Sequence, residues 1–158
     1  MDYTFVSSSH EETIRLGRLF GASLGPGAVI GLVGDLGAGK TCFVKGVAVG
    51  LCDIPESEVT SPTFTIMQEY EAAVPLYHFD AYRLSGSSEL ENIGFDDYIG
   101  GDGACLIEWS DRIEDALPQD MICIRIDFVK EDRRRFVFTA AGAQHEAMLE
   151  TFMHKLDL

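Results

Sequence analysis

The sequence predicts an α/β fold in which helices cover a mostly parallel central sheet with antiparallel additions. Two observations favour this class. Short apolar strands alternate with helical patterns along the chain, and residues 28–33 are apolar throughout, as expected of a strand buried on both faces. The 158 residues, of which 46% are hydrophobic and 24% charged, are enough to build one core. We therefore expect a single domain over residues 1–158.

The first half of the chain is predicted to alternate strands and helices that end at glycine-rich turns. Ser9 and Glu12 form a capping-box pattern before the first amphipathic run, which predicts a helix start. Gly25-Pro26-Gly27 is expected to end that helix. The predicted elements are a strand at 3–6, a helix at 10–24, a strand at 28–33 and a helix at 40–51.

The second half is predicted to contain five strands and three helices. Alternation of side-chain type indicates half-exposed strands, whereas unbroken apolar runs indicate buried ones. The last two strands flank a charged turn, which favours an antiparallel pair. The predicted strands are 64–70, 76–79, 104–107, 121–128 and 135–141, and the predicted helices are a short one from Ser87 closed by Gly94, one at 111–117 and one at 144–156.

The charge balance restricts the partners. Twelve lysines and arginines face 26 acidic residues, so the formal net charge is −14. Domains that bind nucleic acid alone usually present a basic face, and the one basic cluster here, Arg133-Arg134-Arg135, directly follows Glu131-Asp132. We expect no DNA and no membrane partner. A bound nucleotide would need a local positively charged site that outweighs the negative electrostatic field of the whole chain.

Several features favour a reducing compartment. No apolar run approaches the roughly 18 residues of a membrane span, and the N-terminus lacks the pattern of a secretory signal. We therefore expect a cytoplasmic protein. The cysteines lack C-x-x-C spacing and the histidines are scattered, so reduced thiols without a zinc site are predicted. The cysteines are Cys42, Cys52, Cys105 and Cys123.

A phosphate-binding loop is the strongest motif. The segment Gly34-Asp35-Leu36-Gly37-Ala38-Gly39-Lys40-Thr41 matches G-x-x-x-x-G-K-[ST] between a buried strand and a helix. The glycines let backbone amides converge on phosphate oxygens, and the helix N-terminus adds a partial positive charge. Lys40 can bridge the β- and γ-phosphates, and the Thr41 hydroxyl can bind Mg²⁺. The motif refines the fold to a three-layer sandwich like that of P-loop NTPases.

Two carboxylates are candidates for the acid that such a site needs near Mg²⁺. Asp80 follows the strand at 76–79, and Glu108 follows the strand at 104–107. On the pattern alone either acid fits. The segment Thr60-Ser61-Pro62-Thr63 is placed where a switch-type loop could reach a γ-phosphate. An N-K-x-D segment for guanine recognition is absent from the sequence, which favours ATP over GTP.

Taken together, these residues resemble the TsaE (YjeE) family of bacterial tRNA threonylcarbamoyladenosine biosynthesis ATPases over nearly the whole chain. The loop motif is widespread, whereas the last two of the matching segments are far more specific. The segments are Ser9-His10-Glu11-Glu12-Thr13, the phosphate-binding loop, Thr60-Ser61-Pro62-Thr63-Phe64, Tyr77-His78-Phe79-Asp80-Ala81-Tyr82-Arg83-Leu84 and Leu106-Ile107-Glu108-Trp109-Ser110.

The resemblance implies a small Mg²⁺-dependent ATPase that forms ADP and phosphate and acts on the TsaB–TsaD pair. That pair installs threonylcarbamoyl on the adenosine next to the anticodon, and ATP hydrolysis would reset it between turnovers. The chain would then contact tRNA only indirectly, through the complex, which is consistent with its net negative charge. We expect hydrolysis to be slow without the partners and to rise when they bind and order residues 60–64.

The resemblance also implies roles by position. Lys40, Asp80 and Glu108 would be the catalytic residues, with Asp80 orienting the attacking water. Thr41 and Glu108 would hold Mg²⁺. The further implied contacts with ATP or ADP are Thr13, Asp35, Leu36, Gly37, Ala38, Gly39, Cys42, Thr63, Trp109 and Arg134. Cys42 stands where many members have a second threonine, and Arg134 matches only loosely because two arginines flank it.

Two other functions remain open on the residues alone. A compact P-loop domain could be a small-molecule kinase, although its lid arginines would have to come from Arg133-Arg134-Arg135. The chain could also be a non-catalytic nucleotide-sensing module in which Asp80 and Glu108 are structural. Arg83 could face the site or pair with Asp96 or Asp97.

Overall fold

The structure, a computed structural model, describes residues 1–34, 39–59, 66–82, 84 and 87–157. Within these ranges seven strands form one sheet in the order β1-β7-β6-β2-β5-β4-β3. The strands are β1 (Asp2–Ser7), β2 (Val29–Val33), β3 (Met67–Tyr70), β4 (Leu76–Asp80), β5 (Ala104–Glu108), β6 (Ile122–Lys130) and β7 (Arg133–Ala140). The helices are α1 (His10–Gly21), α2 (Lys40–Cys52), α3 (Phe95–Tyr98) and α4 (Ala143–Leu156), with 3-10 helices at Glu56–Glu58, Ser87–Ile93 and Ser110–Ala116.

The sheet is mixed. The pairs β6–β2, β2–β5 and β5–β4 are parallel, whereas β1–β7, β7–β6 and β4–β3 are antiparallel. The α/β class, the parallel centre and the antiparallel pairing of β6 with β7 are confirmed. More strand pairs are antiparallel than expected. The consecutive strands β3 and β4 pair antiparallel at one edge of the sheet, and the consecutive strands β6 and β7 pair antiparallel toward the other edge, where β1 also pairs antiparallel with β7.

The main differences from the sequence prediction lie at element ends. Helix α1 ends at Gly21 instead of residue 24, because the amides of Ser23 and Leu24 bond to carbonyls only three residues back. The predicted short helices near residues 87 and 111 are 3-10 helices. Helix α3 was not predicted, since its four residues are too short for a helical period to show.

Helix α1 begins where the capping pattern predicts. The Ser9 hydroxyl accepts a hydrogen bond from the Glu12 amide at 3.1 Å, and the Glu12 carboxylate accepts one from the Ser8 amide at 3.2 Å. These two bonds satisfy amides at a helix start that have no partner within the helix. The cap therefore fixes the start of α1. This part of the helix lines the cleft that is described below.

Helices and sheet enclose two apolar clusters. Helices α1, α2 and α4 contribute to the larger cluster on one sheet face, while the shorter helices contribute to the cluster on the other. Aromatic side chains fill much of the larger cluster, where Phe20 contacts Phe43, Phe138 and Phe152. No helix in the described part of the chain is long and apolar enough to cross a membrane.

Helices α1 and α2 pack at unusually short range. Gly17 and Gly21 on α1 face Gly46 and Gly50 on α2, and a Cβ atom at any of the four would overlap the backbone of the other helix. Glycine at these positions costs helix propensity, about 1 kcal/mol each relative to alanine. The close approach of the two backbones offsets that cost and fixes α2, whose N-terminus follows the phosphate-binding loop.

A buried histidine connects α4 to β2. His145 is 3% exposed, and its Nε2 atom accepts a hydrogen bond of 3.0 Å from the Val29 amide. Burial lowers the pKa of His145, with the charge of Asp120 opposing that shift. The neutral imidazole therefore caps the first residue of β2, at the opposite end of that strand from the loop.

We predict that Gly46→Ala destabilises the protein. The new methyl group would meet the Ile14 carbonyl of α1, and overpacking of this kind costs roughly 1–3 kcal/mol or more. Urea unfolding followed by circular dichroism measures the change. Gly25→Ala is the matched control, because nothing lies within 4 Å of its Cβ position and its stability should change little. Equal stabilities of the two variants would contradict the packing described here.

Candidate nucleotide-binding site

The predicted acids meet at one edge of the sheet. Glu108, the last residue of β5, is the register partner of both Leu32 on β2 and Asp80 on β4. Because the three strands are parallel, their carboxyl ends lie side by side, and β2 leads directly into the phosphate-binding loop. Open α/β sheets bind ligands at this edge. The two carboxylates therefore lie beside the end of β2, directly before the predicted phosphate-binding loop.

Helix α2 begins at this edge with an open N-terminus. Gly39 precedes it with a φ of 98°, a left-handed conformation that favours glycine, and it has no side chain that could cap the helix. The first-turn amides and the helix dipole together suit an anion. Thr41 is exposed in this first turn, so its hydroxyl is accessible to a ligand.

Lys40 is held over an aromatic ring. Its side chain donates a hydrogen bond to the Gly34 carbonyl, and its Nζ atom lies 3.5 Å from the centre of the Trp109 ring. Lys40 is 5% exposed, so burial strengthens this cation–π contact. The structure thus brings together Lys40 and Trp109, which the resemblance had assigned separately to the nucleotide.

Trp109 has an uncommon backbone conformation. It follows Glu108 with φ of 60° and ψ of 40°, which is left-handed and strained for a bulky residue. Its ring contacts Tyr82 at 4.9 Å between centroids, and the Arg112 guanidinium lies 5.9 Å from it. Sequence reasoning missed Tyr82 and Arg112, because only the fold places the ends of β4 and β5 together.

Asp80 has a carboxyl group whose pKa is shifted. Burial raises the pKa of Asp80 above its ordinary value and the Glu108 charge raises it further, while the hydrogen bond from the Tyr82 amide and the charges of His78 and Lys40 oppose the shift. The Asp80 Oδ1 atom accepts that bond at 2.9 Å. A carboxylate that is costly to keep charged and is fixed by one bond is suited to take up a proton or to orient a water molecule.

Glu108 has a partner that was not predicted. His78 lies two residues before Asp80 on β4, and its Nε2 atom is 2.7 Å from the Glu108 Oε2 atom. Both residues are buried, at 1% and 7% exposure. The only signal in the sequence is a polar residue within an apolar strand, which by itself does not reveal its partner.

A cleft beside α2 collects the predicted residues Thr13, Cys42 and Arg134. It is formed by the N-termini of α1 and α2 and by the turn between β6 and β7. The residues that line it are Ser9, His10, Thr13, Gly39, Cys42, Asp132 and Arg134. Arg134, which matched the family only loosely, therefore lies next to the loop helix, and its aliphatic chain would lie 3.6 Å from a Cβ at Gly39.

Thr13 already has partners at the start of α1. Its hydroxyl lies 2.6 Å from the Ser7 hydroxyl and 3.1 Å from the Ser9 carbonyl oxygen. The side chain is 3% exposed, so these bonds hold the wall of the cleft. A direct contact of Thr13 with a nucleotide remains a prediction, as do the roles of Cys42 and Arg134.

Some predicted residues lie outside the described part of the chain. They are Asp35, Leu36, Gly37, Ala38, Thr63 and Arg83, together with the switch-type segment at residues 60–64. Their predicted roles stay predictions.

The donor set fits a magnesium–nucleotide complex. The Glu108 carboxylate and the Thr41 hydroxyl offer oxygen atoms, the ligands that Mg²⁺ prefers, and a cation would also offset the charge of the neighbouring Asp80 carboxylate. Among the described residues no group of three or more His, Cys, Asp or Glu side chains could hold a metal alone. Mg²⁺ usually keeps several waters and is held by one or two carboxylates together with substrate phosphates.

Comparison with known proteins identifies the family. The profile described as "Threonylcarbamoyl adenosine biosynthesis protein TsaE" matches residues 7–136. The chain belongs to the TsaE family. The protein of that name from Bacillus subtilis is 47% identical over 141 residues, which cover 89% of this chain and 87% of the relative. The Treponema pallidum protein is 43% identical over 82% of this chain and 94% of its own length.

A solved structure supports the same assignment. The crystal structure of Bacillus subtilis YdiB superposes with a TM-score of 0.82 at 38% sequence identity, covering 98% of this chain and 96% of that one. The fold shared with that structure therefore extends through the terminal strands and α4, beyond the residues that the family profile matches.

We predict that Lys40→Ala weakens Mg·ATP binding by roughly 1.5–3 kcal/mol, the value of one charge-assisted hydrogen bond. Calorimetry measures the affinity. Trp109 is the single tryptophan of the chain and touches Lys40, so its fluorescence should change on ATP addition and lose that response in the variant. Lys45→Ala, which removes the same charge five residues further along α2, is the control. Unchanged ATP affinity in Lys40→Ala would contradict the assignment of the loop.

Proposed function

We propose that this TsaE-family chain binds Mg·ATP at the edge of β2, β5 and β4 and hydrolyses it to ADP and phosphate. In this proposal the chain is the ATPase subunit required for threonylcarbamoyladenosine modification of tRNA, and it acts on the TsaB–TsaD complex. One observation carries the proposal. The open N-terminus of α2 and the Lys40 ammonium lie at the same sheet edge as the register-paired carboxylates of Asp80 and Glu108.

Each residue of the site has a separate chemical role in the proposed reaction. The first-turn amides of α2 bind phosphate oxygens, and Lys40 moves from the Trp109 ring to the β- and γ-phosphates. Glu108 and Thr41 would hold Mg²⁺, and the cation would offset the charge of the triphosphate. Asp80 orients the attacking water, for which the raised pKa of its carboxyl is suitable. The cleft lined by His10, Cys42 and Arg134 lies beside the first turn of α2, and we assign contacts with the nucleotide to Cys42 and Arg134.

The acidity of the chain supports an indirect relation to tRNA. With a net charge of −14, the surface as a whole repels a polyanion, so gripping of tRNA is assigned to the partners. The phosphate site works only because its positive groups are local and partly buried. The part of the chain that the structure describes adds no broad basic face, since Arg125, Arg133 and Arg135 are interleaved with acids such as Asp127, which pairs with two of them.

We predict that the two acids differ on substitution. Glu108→Gln should weaken the Mg²⁺ dependence of ATP binding, because it removes a charged ligand. Asp80→Asn should leave binding nearly intact and lower turnover by roughly 10²-fold or more, because water positioning matters in the transition state. Calorimetry with and without Mg²⁺ and a phosphate-release assay separate the effects. Equal losses of binding in both variants would contradict these roles.

The proposed function is tested by phosphate release at saturating ATP, with and without TsaB–TsaD. We expect slow turnover alone and faster turnover with the pair, because phosphoryl transfer needs added positive charge and a supplied arginine is worth roughly 10³–10⁵ in rate. Lys40→Ala is the background control. Full activity alone, unchanged by the pair, would exclude partner activation. Phosphate transfer to a metabolite would indicate the kinase alternative, and binding without turnover the sensing module.

A further inference from the structure

His78 is buried in the sheet, and its one hydrogen-bond contact among the described residues is with the Glu108 carboxylate. It is 1% exposed, and the register of β4 on β5 places it opposite Leu106. Alternation along each strand puts His78, Asp80 and Glu108 on the same face of the sheet, and the Nε2 atom of His78 lies 2.7 Å from the Glu108 Oε2 atom. The imidazole thus reaches along the strands toward the end of β5.

In the proposed function Glu108 binds Mg²⁺ as an ionised carboxylate. An ionised carboxylate only accepts hydrogen bonds, so in that state the Nε2 atom of His78 carries the hydrogen and donates it to Glu108. The Nδ1 atom of His78 is then buried with no hydrogen-bond partner among the described residues. A buried polar atom without a partner is unfavourable. A leucine would fill the same space without that cost, so packing alone does not account for a histidine here.

We propose that His78 is a positioning residue for the magnesium site. It holds one oxygen of Glu108 and thereby aims the rest of the carboxylate at the metal. The inference rests on the proposed function, because it assumes that Glu108 binds Mg²⁺. Partners that orient a metal ligand typically contribute 10–100-fold to metal affinity. Without His78 the Glu108 carboxylate could rotate, and the productive orientation would be only one of several.

His145 provides a matched control within the same chain. It is also buried, and it also uses its Nε2 atom, but it accepts a hydrogen bond from the Val29 amide at the start of β2. That end of the strand is opposite to the phosphate-binding loop. Replacing either histidine perturbs a buried hydrogen bond, whereas only His78 contacts a proposed metal ligand.

The test measures ATP affinity by calorimetry over a series of Mg²⁺ concentrations and in EDTA. The variants are His78→Gln, His78→Asn and His78→Leu, with His145→Gln as the control. A glutamine amide reaches about as far as the Nε2 atom and can donate to Glu108, whereas asparagine is one methylene shorter. We expect the Mg²⁺ midpoint to rise about 10–100-fold in His78→Asn and His78→Leu. His78→Gln should recover most of the affinity, and ATP affinity in EDTA should not change.

The outcomes separate this inference from the proposed function. Thermal unfolding first establishes which variants fold, and the glutamine–asparagine pair is sufficient if leucine is not tolerated. Equal Mg²⁺ midpoints in the wild type and both amide variants would overturn the positioning role while leaving Mg·ATP binding intact. A shift of the same size in His145→Gln would also overturn it, since the effect would then be general. A wild type that binds no Mg·ATP would overturn both proposals.

Discussion

The parallel register of β2, β5 and β4 is the constraint on which the candidate site depends. It aligns three carboxyl ends, so that the end of β2, Glu108 and Asp80 share one edge although they are far apart in sequence. A slip of one residue in a strand turns every side chain of that strand to the opposite face. The glycine contacts between α1 and α2 fix the helix that completes the site.

An acidic chain that holds a polyanion must concentrate its positive charge where the ligand sits. Here the helix N-terminus and Lys40 supply that charge at short range, and low exposure keeps solvent from weakening it. The carboxylates of Asp80 and Glu108 work in the opposite direction until a cation joins them. In the proposed function, the same two acids that would disfavour bare triphosphate would therefore favour triphosphate bound to a metal, a preference that neither acid would give alone.

The parts of the site that are local in sequence could be predicted, and those that depend on pairing could not. The apolar run of β2, the glycine pattern and the start of α2 follow from neighbouring residues, and Gly39 has the left-handed φ that the motif requires. The bond between His78 and Glu108 joins residues 30 positions apart, so no local pattern contains it. The glycines of α1 and α2 are visible in the sequence at spacings of four, but their meaning depends on which helices meet.

The contact between Lys40 and Trp109 shows how the resting site avoids an unpaired charge. Trp109 keeps a left-handed backbone, which costs of the order of 1–3 kcal/mol, and the surrounding contacts must compensate for it. Those contacts include the Lys40 ammonium, the Tyr82 ring and the Arg112 guanidinium. In the proposed cycle, a triphosphate that draws Lys40 away removes one of them and leaves Trp109 supported by Tyr82 and Arg112. Tyr82 is 42% exposed. Nucleotide binding would therefore change the surroundings of a residue at the protein surface, where a partner can contact it.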